Sequence, residues 1–300
     1  VSIYYYGNLG FITSFLITLG FIIFLSFYIG LTTYLFKRIK VSKMNVNYLL
    51  IFPVLWVSIE LIRSYLLTGF PWLIIGTSLA GTSLGGWIPI LGSYGGSVLV
   101  LMISGSLLLI YENSLKLNLY PALLICIILI SSFILNKINW TNEVVKIKAS
   151  IYQPNLTLHK KWSTEGIKQT TDLIQEAIVK GEEGEFVFFP ETALILDKEE
   201  MEPFISDIEN KAVKKNISLI SGIIAKDVTK RHLKERFNRI EAFGSAQGSY
   251  DKVHLVPFGE YIPLRNYLGT ILDIMGINLV NTLPGKSFNQ LKSRKVIISP

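Results

Sequence analysis

One cysteine in 300 residues, Cys126, excludes an intramolecular disulfide and any zinc site built on paired thiolates, and leaves the redox compartment unreadable from cysteine usage. Histidine is almost as scarce: His159, His232 and His254 are scattered and make no metal-binding cluster. A third shortage is local. Residues 1–136 hold eight charged side chains (Lys37, Arg38, Lys40, Lys43, Glu60, Arg63, Glu112 and Lys116), whereas residues 137–300 hold the other forty-three of the fifty-one. That distribution excludes one uniform soluble domain and divides the chain into a lipid-soluble half and a water-soluble half. The net charge of +7 splits into +4 and +3, so neither half concentrates the charge that nucleic-acid binding requires. A mildly basic surface beside anionic lipid is the simpler reading.

What the first half does contain is long apolar runs. Leu9 to Phe36 is twenty-eight residues without a charge, enough to cross a hydrocarbon core of roughly 30 Å with some tilt. No basic region precedes it, as a signal peptide would have. Val46 to Leu67, Trp87 to Ile110 and Leu117 to Leu135 are three further candidate spans, and in lipid such spans are helices because open sheet edges are not tolerated there. Lys37, Arg38, Lys40 and Lys43 fill the loop between the first two spans, and Lys116 lies between the third and fourth. The positive-inside rule puts both loops in the cytoplasm, so the half after about Asn136 is expected on the other side, periplasmic in a bacterium with two membranes. Glu60 and Arg63 lie three apart on one helical face, where an ion pair would share the cost of leaving water. Gly69-Phe-Pro-Trp72 follows, suited to a re-entrant or interfacial turn.

In the second half, strand and helix patterns alternate, which predicts an α/β layered domain over residues 137–300. Val145–Ile151 alternates apolar and polar residues as a strand does. Trp162–Lys180 has the apolar spacing of an amphipathic helix, and Phe186-Val-Phe-Phe189 is a short buried strand. The pattern then repeats, with a helix over Glu199–Lys215 and a strand over Ile217–Ile224. Further strands are predicted at Arg239–Phe243 and, buried, at Lys295–Ile298. Glu191 falls just past one strand end, where loops on a rigid sheet place chemistry, and Lys252 lies past another. A carboxylate that takes a thiol proton and an ammonium that meets an oxyanion are what an amide- or ester-cleaving cysteine enzyme needs. By spacing alone the pair carries little weight, since most Glu and Lys residues are solvated surface.

The flanking residues give it weight. Phe188-Phe-Pro-Glu-Thr-Ala193 and Asp251-Lys-Val-His-Leu-Val-Pro-Phe-Gly-Glu-Tyr-Ile-Pro263 resemble the Glu and Lys motifs of the carbon–nitrogen hydrolase (nitrilase) superfamily. With apolar spans ahead of them they resemble its integral-membrane branch, the apolipoprotein N-acyltransferases. Glu60-Leu-Ile-Arg63 leading into Leu67-Thr-Gly-Phe-Pro-Trp72, then Gln153-Pro-Asn155 and Lys161-Trp162, extend the likeness over nearly the whole chain.

The resemblance implies a multi-span α-helical membrane domain plus an α/β nitrilase-like αββα sandwich domain, in the inner (cytoplasmic) membrane with the sandwich in the periplasm. It implies transfer of an acyl chain from a phospholipid to the N-terminal amine of a diacylglyceryl-modified apolipoprotein through a cysteine thioester, with no cofactor. Glu191 is then the general base and Lys252 the oxyanion-stabilising lysine. Glu260 is a further carboxylate near the site, either direct or orienting, and Trp162 belongs to the site's surroundings or to plain packing. The pattern also predicts a nucleophilic cysteine roughly fifty residues after the lysine, beyond Pro300, and further spans outside both ends of the given sequence. Cys126 lies in the apolar run Leu123–Leu129, where a free cysteine behaves as a small hydrophobe. As given, the chain is expected to be inactive. A membrane-tethered amidase of the same superfamily and a non-catalytic pseudoenzyme are the alternative readings.

Overall fold

The computed structural model describes residues 4–5, 10–66, 69–112, 119–226, 236–257, 259–261, 282–293 and 296–299. Leu9, Leu67, Thr68, Lys116, Leu117, His232, Phe258, Ile262, Pro263, Lys295 and Pro300 lie outside the described residues. The chain forms two compact units, Val1–Glu143 and Val144–Pro300.

In the first unit the apolar runs become helices α1 (Phe11–Ile39), α2 (Met44–Tyr65), α3 (Ile88–Glu112) and α4 (Leu119–Leu135). At about 1.5 Å per residue, α1 and α2 reach roughly 43 and 33 Å, longer than a hydrocarbon core. Among the described residues, three helices are long and apolar enough to cross a membrane: α1, α2 and α3 with its preceding turn from Ser83. The chain is a membrane protein. Helix α4 has 17 residues, at the short end of the spanning range.

Local chemistry sets the helix boundaries. Lys37 and Arg38 close α1, where cations favour the negative end of the helix dipole. Buried Asn47 then clasps the loop, accepting from the Val41 N–H at 2.8 Å and donating to the Val41 carbonyl at 2.7 Å. Pro53 cannot donate to the preceding turn, and α2 widens there into a π-helical turn at Asn47–Ile51. The buried positions of α3 include Gly96, Ser97, Gly105 and Ser106, small residues that let backbones approach closely where no hydrophobic force drives helices together. Ser97 Oγ accepts from the Gly76 N–H at 2.9 Å, and Ser132 Oγ of α4 donates to the Ser83 carbonyl at 2.9 Å.

The second unit is built on a mixed six-stranded sheet. Its elements are β1 (Ala149–Ile151), α5 (Leu158–Lys161), α6 (Thr164–Lys180), β2 (Phe186–Phe188), β3 (Leu194–Asp197), α7 (Glu202–Lys214), β4 (Ser218–Lys226), β5 (Arg236–Gly244), β6 (Ala246–Gln247), β7 (Ser249–Asp251), β8 (Leu291–Ser293) and β9 (Ile297–Ile298). Strands β1, β2 and β4 run parallel, β3 also pairs β4 in parallel, and β5 and β7 follow antiparallel in the order β1-β2-β4-β5-β7. Strands β6, β8 and β9 form a second, antiparallel sheet.

Period-2 alternation sends side chains to two different cores. Val187, Leu219, Ile223 and Phe243 pack with Ile174 and Ile178 of α6 and Ile205 and Ile208 of α7. Their neighbours Phe186, Ile220 and Ala242 pack instead against Ala246 and Leu291 of the small sheet. Burying each of these large side chains contributes about 1.5–3 kcal/mol. The result is a helix layer, a main sheet and a second sheet; the described residues supply three of the four layers that the resemblance implies.

Element bounds shift where tertiary pairing overrides local pattern. The strand predicted from Val145 begins only at Ala149, because its register with β2 starts at Phe186 and the residues before it, Gly181–Glu185, form a turn; Val144 is 95% exposed. Conversely β5 extends back to Arg236, since nine residues pair with β4. The strand expected to be buried near the end of the chain is an edge strand, with Ile297 63% exposed. Helix α6 starts at Thr164, not Trp162, because the Ser163 hydroxyl caps it by accepting from the Gly166 N–H at 3.2 Å.

Candidate active site

Glu191 sits in the turn between β2 and β3, and the geometry of that turn depends on a glycine in the neighbouring strand. The Phe189 N–H donates to the Ile220 carbonyl at 2.9 Å and the Gly222 N–H to the Pro190 carbonyl at 3.3 Å, laying the turn against β4. A Cβ on Gly222 would meet the Thr192 nitrogen at 2.3 Å and Glu191 Cα at 2.7 Å, all backbone, so only glycine fits. Thr192 takes the left-handed conformation, φ 54°, an uncommon one for a β-branched residue and a source of local strain.

Lys252 follows β7, its N–H donating to the Asn238 carbonyl at 2.9 Å and its carbonyl accepting from the Gly285 N–H at 2.9 Å. Its ammonium lies 3.1 Å from Glu191 Oε1 and 3.1 Å from each oxygen of Glu260. Glu260 also accepts from the Val256 N–H at 2.7 Å and from Asn238 Nδ2 at 2.8 Å. The same Asn238 amide donates to Glu191 Oε1. Two carboxylates, one ammonium and one carboxamide thus close into a ring. Glu191 Oε1 has two donors, while Oε2 has no protein partner among the described residues.

The charges reinforce this arrangement. Partial burial pushes the Glu191 carboxyl up, but hydrogen bonds from Asn238 and Lys252 and the charges of Lys252 and Lys161 outweigh it and hold the carboxyl below the usual range. Burial likewise opposes the charged form of Lys252, yet its bonds to Glu260 and Glu191 raise it above the ordinary lysine value. Lys161 differs: burial lowers it, only partly offset by the charge of Glu191, whose backbone carbonyl its Nζ reaches at 3.5 Å. At neutral pH the ring holds an ionised carboxylate, exposed over 59% of its side chain, beside a retained ammonium that is 28% exposed.

Of the residues singled out from sequence, the structure brings Glu191, Lys252 and Glu260 together. It does not bring in Trp162, which is 53% exposed after α5; among the described residues no hydrogen bond or ring contact joins it to the cluster, although its neighbour Lys161 reaches Glu191. His254 is exposed and stands apart from the ring, and Cys126 is exposed on α4 in the other unit. Sequence reasoning missed Asn238. Its signal was a lone amide on the strand face it shares with Ile240 and Ala242, where an apolar residue would otherwise pack. Such a ring supports proton removal from a nucleophile by the free oxygen of Glu191 next to a cation that meets a developing oxyanion.

Fold and site together define a membrane protein that carries a mixed α/β unit with a glutamate–lysine–glutamate centre. Residues 1–106 match the family model described as the apolipoprotein N-acyltransferase N-terminal domain. Relatives named apolipoprotein N-acyltransferase match almost all of the chain. That of Coxiella burnetii is 31% identical over 291 residues, covering 95% of this chain and 59% of the relative. That of Methylococcus capsulatus is 28% identical over 287 residues, 95% and 56%. That of Pseudomonas aeruginosa is 27% identical over 305 residues, 98% and 58%. Over almost its whole length the chain is similar to apolipoprotein N-acyltransferases, and over residues 1–106 to their N-terminal domain. It spans a little over half the length of the curated relatives it matches.

Proposed function

We propose that this chain carries the base and the oxyanion-stabilising cation of an N-acyltransferase that moves an acyl chain from a membrane phospholipid to the free α-amino group of a diacylglyceryl-modified cysteine at the N-terminus of an apolipoprotein. The observation that carries the proposal is the shared Lys252 ammonium, 3.1 Å from both Glu191 and Glu260. In the first half-reaction Oε2 of Glu191 takes the proton of a cysteine thiol, and the thiolate attacks the phospholipid ester carbonyl. Lys252 faces the oxyanion of the tetrahedral intermediate. The C–O bond breaks, the lysophospholipid alkoxide takes the proton back from Glu191, and a thioester remains.

In the second half-reaction the lipoprotein amine attacks the thioester carbonyl, gives its proton to Glu191 and leaves an amide, while the thiolate departs and is reprotonated. Glu260 and Asn238 hold Lys252 and Glu191 in register. Cys126, in an apolar helix of the other unit, does not serve as the thiol; the family resemblance puts that cysteine beyond residue 300. Trp162 is assigned to the surroundings of the site by the family resemblance alone. The basic loop at Lys37–Lys43 supports, by the positive-inside rule, a catalytic unit on the periplasmic side of the inner membrane.

The test is an acceptor competition on the full-length protein in phospholipid vesicles, with and without a synthetic diacylglyceryl lipopeptide. A lipopeptide heavier by one acyl chain supports the proposal. Release of free fatty acid with the lipopeptide unchanged would instead make the protein a hydrolase.

A further inference from the structure

Glu60 and Arg63 of α2 take no part in the proposed reaction, yet they carry unusual chemistry for a membrane-spanning helix. Glu60 is only 4% exposed. Its Oε1 accepts from Trp56 Nε1 at 3.0 Å and from the Ile75 N–H at 3.0 Å. Arg63 Nη2 donates to the carbonyls of Trp72 at 2.8 Å and Leu73 at 3.2 Å. Among the described residues the two do not form the ion pair that their spacing suggested. Each instead ties down the backbone of the turn after α2, including Leu73 at φ 60°.

Among the described residues, that leaves Glu60 Oε2 and Arg63 Nε buried with no partner. Both residues line one cavity of about 20 Å³, whose other walls include Tyr28, Thr32 and Trp56. An unpartnered polar atom in such a place costs about 1–3 kcal/mol, more when the group is charged. The two orphans are complementary, one an acceptor and one a donor.

We propose that this cavity is a binding site for a single hydroxyl group, which accepts from Arg63 Nε and donates to Glu60 Oε2. A water fits in roughly 10–15 Å³ when it has two to four polar partners, so the volume admits one hydroxyl. The hydroxyl belongs either to water or to the tip of a glycerol head group, and it completes the clamp that holds the turn at Trp72–Ile75.

The experiment is a density map of the full-length protein, at a resolution that shows ordered waters, in nanodiscs of phosphatidylethanolamine alone and of phosphatidylethanolamine with phosphatidylglycerol. An isolated peak within hydrogen-bond distance of Glu60 and Arg63 in both lipids identifies water. A peak found only with phosphatidylglycerol, and continuous with lipid density, identifies the glycerol hydroxyl. A cavity that is empty, or closed by a protein side chain, in both lipids overturns the proposal. Glu60→Leu should lose the peak and Glu60→Gln should keep it; if the leucine variant does not fold, the wild-type maps still decide.

Discussion

Replacing Lys252 by methionine keeps the length of the side chain and removes its charge, and its effects on rate and on stability should separate. Coulomb attraction at 3.1 Å is about 5 kcal/mol at an effective dielectric of ~20 and about 1 kcal/mol in water. Glu191 is 59% exposed and Lys252 28%, so solvent screening brings the pair's contribution into the exposed range of about 0.2–1 kcal/mol. Loss of an oxyanion-stabilising donor, by contrast, costs on the order of 10²–10³ in rate, about 2.7–4 kcal/mol. Lys252→Met in the full-length protein should therefore lose at least about a hundredfold in acyl transfer, while the lost pair with Glu191 lowers the thermal unfolding midpoint by at most about 2–4 °C.

The pH dependence carries a second, independent sign. Without the ammonium, Glu191 loses one hydrogen bond and its nearest cation and faces Glu260 with only Asn238 between them, so its depressed pKa rises and the acidic limb of kcat/KM moves to higher pH. A depressed carboxyl contributes stability above its unfolded pKa and loses it as pH falls through the folded value, so the variant's stability should fall less on acidification. The raised Lys252 contributes below the ordinary lysine value and loses that contribution as pH rises through its folded value, so the alkaline fall should soften too. Acyl transfer to lipopeptide across pH 4–9 reads the shift of the acidic limb, and unfolding followed from about pH 3 to about pH 12 reads the two stability effects. A rate within a few-fold of wild type, or a loss of rate no larger than the loss of stability predicts, would refute the assignment.

Asn238→Ala should leave Lys252 and both carboxylates in place yet free Glu191 to rotate, lowering kcat by about tenfold or more with KM little changed; an unchanged kcat would mean that the amide is only structural. Gly222→Ala forces the turn at Glu191 away from β4, at about 1–3 kcal/mol of overpacking, and circular dichroism melting with an activity assay should show both losses together. For orientation, single cysteines at Ser42 and Glu209 in a variant without Cys126 should be protected from and labelled by impermeant maleimide, respectively, in cells with a permeabilised outer membrane, and the reverse pattern would overturn the periplasmic placement.

Much of the fold was legible because the signals were physical and local. A charge-free run of twenty-eight residues at Leu9–Phe36 has few structural fates, and the short continuous apolar run Phe186–Phe189 after an amphipathic helix pattern over 162–180 points to a layered α/β unit. What the sequence hid was non-local. Strand β3, with Asp197 buried among Lys226 and Arg236, exists because β4 offers it an edge. Strand β5 reaches Asn238 only because β4 is nine residues long, and that extension carries the amide into the site. At the centre itself, Glu191, Lys252 and Glu260 were readable from their motifs. The single ammonium shared by two carboxylates was not, because it depends on β7 pairing with β5 and on the turn at Val256–Glu260.

The central claim is that this Glu–Lys–Glu ring drives formation of a covalent acyl-enzyme, and intact-protein mass spectrometry of the full-length protein tests it most directly. Incubated with phospholipid alone, the wild type should gain the mass of one acyl chain, removable by neutral hydroxylamine as a thioester is, before any lipopeptide is added. Glu191→Gln should nearly abolish that gain, because a thiol near its free pKa of about 8.5 is mostly protonated at neutral pH and needs a base. A wild-type protein that acylates lipopeptide while never carrying the added mass would contradict the account.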